Sequence, residues 1–154
     1  MVKMLNPYYK LSQKDIENFE VKNNIELTNN YKLFLLKWNG GAPDLEIFMI
    51  SEEAGPTVMN YFYSIGDIDN GNDLADSLDV YELRLPEGFI AIGDDPAGNA
   101  ILLGVLEPHY DQIYFWDHEN EPDLEEPDMS NMYFLADNIW KFLDNLYEDE
   151  SDDD

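Results

Sequence analysis

The chain has 154 residues, 44% of them hydrophobic and 14% aromatic, with 34 acidic side chains against 8 Lys and Arg and a formal net charge of -26 at pH 7. The length suits one domain with a single core, and the apolar content excludes a disordered chain. Nucleic acid and anionic membranes are disfavoured as direct ligands because both need clustered Lys and Arg, and the lack of any Cys excludes disulfides and thiolate metal sites.

The charge is unevenly placed. Residues 1–37 hold six Lys and four acids, a local net of +2, so residues 38–154 set Arg84 and Lys141 against thirty acids, a net of -28. The opening MVKMLNPYYKLSQKD lacks the apolar stretch of a secretory signal, and no run is long enough to span a bilayer. A cytoplasmic location is the default expectation.

In chain order, Ser12 to Asp15 fits a capping box, with Leu11 and Ile16 placed as a hydrophobic staple, and predicts a helix over 13–23 with Ile16 and Phe19 inward. A second helix is expected from Thr28, with Tyr31, Phe34, Leu35 and Trp38 at helical spacing. It should stop at Asn39-Gly40-Gly41, where glycine can take the left-handed conformation. Leu45–Ile50 and Val58–Ile65 read as two strands joined by a turn over 51–57. An acidic segment, 66–73, leads into a helix near 73–83 carrying Leu74, Leu78 and Tyr81.

Three short apolar runs follow, Phe89–Gly93, Asn99–Leu106 and Gln112–Asp117, split by two turn clusters rich in Gly, Pro and Asp. They predict an antiparallel meander whose middle strand is covered on both faces. Residues 117–128 hold seven acids and two prolines in twelve positions and read as a solvated loop. A last helix is expected after a cap at Ser130, with Met132, Ala136, Ile139, Leu143 and Leu146 on its apolar stripe. The whole predicts an α+β domain over 1–147, with about five mostly antiparallel strands in one sheet and helices at both ends packed on it. Residues 148–154 are expected to be a disordered acidic tail.

Leu85-Pro86, Ile90-Ala91-Ile92-Gly93-Asp94-Asp95, Gly98-Asn99 and Tyr114-Phe115-Trp116-Asp117-His118, in that order and spacing, resemble the central signature of the SUKH superfamily. More narrowly they resemble the branch named after a yeast cell-wall assembly regulator. Tyr31-Lys32-Leu33-Phe34-Leu35 with Asn39-Gly40-Gly41 resembles the N-terminal signature of the same family. The resemblance spans roughly residues 12–147. It implies the α+β fold expected above and, for bacterial members, an immunity protein that neutralises a polymorphic toxin, often a nuclease.

Few residues suggest catalysis. Cysteine nucleophiles are excluded, and neither His109 nor His118 sits near a nucleophile-elbow pattern. Carboxylate pairs carry no information among 34 acids. Asp67, Asp69 and Asp73 surround Gly71, but no register places oxygen ligands, glycine and a final glutamate as an EF-hand requires. Asp94, Asp95, Asp117 and His118 lie at one end of the meander, so a divalent-metal cluster is allowed by topology, although a turn whose carboxylates cap backbone N–H groups explains the aspartates more simply. Tyr114, Phe115 and Trp116 read as core packing, or as an interface anchor flanked by acids.

The expectation is therefore a non-enzymatic, cofactor-free binding module that occludes a cognate, basic protein toxin. The contacts expected are Asp67, Asp69, Asp73, Asp94, Asp95, Asp117, Glu119 and Glu121, because a carboxylate surface attracts a cationic protein and can stand where a nuclease expects phosphate. The alternative is a regulatory scaffold of cell-wall or signalling pathways, and the acidic surface can also serve solubility alone.

Overall fold

Polar caps and positive-φ residues set the helix boundaries in the computed structural model, which describes residues 2–66, 71–123 and 125–148. Strand β1 (Met4–Leu5) is followed by α1 (Gln13–Asn23). The box predicted there is formed: Asp15 N donates to Ser12 Oγ at 3.1 Å, and Ser12 N donates to the Asp15 carboxylate at 2.8 Å. Helix α2 (Asn29–Trp38) starts at Thr28, whose hydroxyl accepts from Tyr31 N.

The end of α2 departs from expectation in one respect. Asn39, with φ 43°, takes the left-handed position, and Gly40 and Gly41 follow it at φ 82° and 108°. The glycines are needed for a second reason, close approach. A Cβ at Gly40 would come within 2.7 Å of Phe62 O, while Gly41 and Phe62 exchange backbone hydrogen bonds at 3.1 and 2.8 Å. The bare backbone thus lets α2 dock on the sheet.

β2 (Ala42–Pro43) pairs with β1, and β3 (Ile47–Ser51) forms a hairpin with β4 (Gly55–Val58). The single strand expected over 58–65 is instead divided between β4 and β5 (Tyr61–Phe62), which belong to different sheets. Helix α3 (Leu74–Tyr81) is shorter than expected. The meander is present as β6 (Phe89–Asp94), β7 (Ala100–Gly104) and β8 (Ile113–Trp116), and every residue of β7 is buried. The following loop contains one 3-10 turn, His118–Asn120, where no regular element was expected.

The C-terminal stripe was misread in part. Met132–Ala136 forms a strand, β9, and only Ile139–Asp144 is helical, as α4. Asn138 separates them, its side chain accepting from Lys141 N at 3.0 Å as a helix N-cap.

The result is an α+β single domain built on a five-stranded antiparallel sheet in the order β5-β6-β7-β8-β9, with helices before and after it in the chain. One face of the sheet carries the main core. Phe34 of α2 meets Phe62 at 5.0 Å, Phe142 of α4 meets Phe48 of the hairpin at 5.2 Å, and Phe48 reaches Phe115 of β8 at 6.2 Å. Phe34 and Phe142 are essentially fully buried, each worth roughly 2–3 kcal/mol of apolar burial. Alternation along β8 then sends Tyr114 and Trp116 to the opposite face, where α3 lies. Among the described residues no helix is long and apolar enough to cross a membrane.

Candidate functional site

The α3 face of the sheet carries two of the residues singled out in the sequence, Asp73 and Glu121. Asp73 caps α3, accepting from Asp76 N at 3.3 Å and from Gly66 N at 3.2 Å, and it is buried. Ser77 donates to Ala91 O at 3.0 Å, which fixes the helix to β6. Tyr81 stands edge-on to Trp116, their centroids 5.5 Å apart. Arg84, just past the helix, places its guanidinium carbon 5.0 Å from the rings of both Tyr81 and Trp116. Its Nε and Nη2 both donate to the Glu121 carboxylate, the shortest bond being 2.9 Å. A loop 37 residues further along the chain is thereby held against α3.

Beyond α3 the face is aromatic. Gly104 has no side chain because the turn after β7 folds back across it, and a Cβ there would run into the His109 carbonyl. The His109 ring then lies 5.5 Å from Phe89 and 5.8 Å from Tyr114. Tyr114 Oη donates to Gln112 Oε1 at 3.0 Å and lies 3.2 Å from His109 Nδ1. Phe134 of β9 continues the row, 5.6 Å from Tyr114 and half exposed.

The expected contact residues divide by environment. Asp95 is buried and accepts from Thr57 Oγ1, Ala97 N, Asn99 N and Asn99 Nδ2 at 2.9–3.1 Å. It serves as the cap of its own turn. Asp94 is half-buried, accepting from Asn60 Nδ2 at 3.0 Å and Tyr63 Oη at 3.1 Å. Burial pushes its pKa above the ordinary carboxylate value, opposed by those two bonds. Burial and the neighbouring Asp94 carboxylate push the Tyr63 hydroxyl upward in turn. Asp117 caps the 3-10 turn through Glu119 N at 3.0 Å and Asn120 Nδ2 at 2.6 Å. Glu119 is exposed, and Glu121 is engaged by Arg84. Asp67 and Asp69 lie outside the described residues.

The two ends allowed by topology to meet do so: His118 N donates to Asn99 Oδ1 at 3.1 Å, which joins the Asp94-Asp95 turn to the end of β8. Their carboxylates are turned to hydrogen-bond donors, however, and among the described residues no three His, Asp or Glu side chains are grouped so that they could hold a metal ion. Sequence reading missed Arg84 as an organising residue. The signal available was that it is the one arginine in the chain. It also missed the row from Phe89 to Phe134, because the strand that carries Phe134 was read as helix.

No curated protein matches this chain. Residues 10–145 match the SMI1 / KNR4 family (SUKH-1).

Proposed function

Because the chain belongs to the SMI1/KNR4 family (SUKH-1), which includes immunity proteins, we propose that it is an immunity protein that binds and neutralises a cognate, basic protein toxin such as a nuclease. It acts by covering a surface and carries out no reaction of its own. The observation that carries the reading is the charge: a net of -28 over residues 38–154, with Arg84 already committed to Glu121. Such a surface speeds the approach of a cationic protein and repels acidic ones. Of the acids expected to make contact, Glu119, Glu121, Asp117 and the Asp67–Asp69 segment are assigned to the partner. Asp73 and Asp95, buried and bonded, are assigned to holding the face in shape, and Asp94 to both roles.

The test is capture of the protein encoded beside this one, followed by growth rescue when the two are expressed together. Rescue of a host poisoned by that protein is expected. Affinity should fall by at least about tenfold between roughly 0.05 and 0.5 M NaCl, as exposed charges are screened. Failure of both capture and rescue would sink the proposal, and a salt-independent affinity would remove its electrostatic part.

A further inference from the structure

Where α3 ends and β6 begins, a cleft of about 230 Å³ opens between helix and sheet, its lining including apolar Leu78, Leu85 and Phe89 together with Tyr81, Glu82 and Glu87. Two large apolar side chains stand exposed on the neighbouring loops, Leu83 at 86% and Leu106 at 54%, and Leu106 lies against Gly88 of the cleft wall. Glu82 and Glu87 are both exposed, and among the described residues neither carboxylate has a hydrogen bond or an ion pair. Glu121 differs in having Arg84.

We infer that this cleft receives an arginine side chain from a basic segment of the bound protein, its methylenes on the apolar lining and its guanidinium reaching Glu82 and Glu87. The inference rests on the immunity reading for the identity of the donor protein, but the chemistry of the cleft stands apart from it. The space is smaller than the roughly 300–1,000 Å³ usual for small-molecule sites and suits a single long side chain. Arginine is favoured over lysine because its planar, weakly hydrated fork of donors can address two carboxylates at once, whereas an ammonium is a compact and strongly hydrated charge. Arg84 shows the same fork chemistry within the chain, on Glu121. Leu106, against Gly88 of the wall, adds apolar surface beside a buried anchor.

The cleft can be probed without the toxin. Titration of the full chain with N-acetyl-arginine amide, followed by backbone amide chemical shifts, should give saturating changes confined to the residues around Leu78, Tyr81, Leu85 and Phe89. The lysine analogue should bind several-fold more weakly. Replacing both carboxylates, Glu82→Gln with Glu87→Gln, should weaken arginine binding about tenfold, while Glu52→Gln with Glu53→Gln, an equal loss of exposed charge in the β3–β4 turn, should not. Shifts scattered over the acidic surface, no shifts, or equal losses in the two double variants would overturn the assignment. In the second arm the same variants are tested against the neighbour-encoded protein. If wild type neither captures it nor rescues growth, the immunity reading falls and the arginine titration still decides the cleft. If wild type binds and the Glu82/Glu87 variant binds equally well, the cleft assignment falls alone.

Discussion

Asp94 is held in a place that suits its protonated form better than water does. Burial raises its pKa above the ordinary 3.8, and the bonds from Asn60 and Tyr63 offset this only in part. A carboxyl whose folded pKa exceeds its unfolded one contributes stability that is fully present below the unfolded value and is lost as pH rises through the folded value. Asn at this position keeps an acceptor for Asn60 and does not titrate. Between about pH 3.5 and 7, urea unfolding should therefore show wild type losing ground to Asp94→Asn as pH rises; a constant difference would show that the site is not destabilised by its charge. Arg84 gives a second expectation at this scale. A double-mutant cycle of Arg84→Ala and Glu121→Ala should return a coupling of about 1 kcal/mol, at the top of the range for part-exposed pairs because the fork is engaged at two nitrogens. Arg84→Lys should keep less than half of it. That the chain has a single arginine is visible from composition, but its partner is not, since nothing local links positions 84 and 121.

At the scale of elements, Asn39 joins three segments. Its Nδ2 donates to Tyr9 O at 2.8 Å and Ile65 O at 3.2 Å, and its Oδ1 accepts from Ile65 N at 2.8 Å, while its own backbone turns left-handed to end α2. Asn39→Ala should cost about 3 kcal/mol in denaturant unfolding, because it strands buried backbone groups and strains the cap. Asn39→Gly, which relieves only the strain, should recover about 1 kcal/mol of that. Equal losses in the two variants would mean that the backbone conformation costs nothing there. The meander was legible in the sequence because Gly, Pro and Asp punctuate it on both sides of every run. Met132 to Leu146 was not, because its apolar residues step by three and four across what are two elements. Within Met132–Ala136 the run is too short for its period to separate strand from helix. Asp137-Asn138, a turn and cap pair in mid-stripe, was the signal that would have divided it. The division of 58–65 left no comparable mark, since it depends on Phe62 finding Gly41 across the fold.

For the molecule as a whole, the carboxylates that would draw in a basic partner also repel one another. Urea, being uncharged, can separate the two effects: the unfolding midpoint should rise as NaCl is taken from about 10 mM to 300 mM, with a gain in unfolding free energy on the order of 1 kcal/mol, while affinity for the toxin falls. A midpoint indifferent to salt would mean that the surface charge is already well dispersed. The same numbers explain why the candidate site was only partly legible. With 34 acids, sequence can state the sign of the surface but cannot say which carboxylates are spent on capping turns and helices, as Asp95 and Asp73 are, and which remain unbonded, as Glu82 and Glu87 do.

The lysines of α1 and α2, Lys14, Lys22, Lys32 and Lys37, ride on the helical layer across the sheet from α3. A body charged in this lopsided way has a head and a tail in an electric field, and a cationic target will swing it round while the two are still separated by water. Much of the search over orientations would then be over before collision. Swapping those four lysines for glutamine removes charges that repel such a target, so capture, read as the association rate in stopped flow, should quicken, while the lifetime of the finished pair stays unchanged.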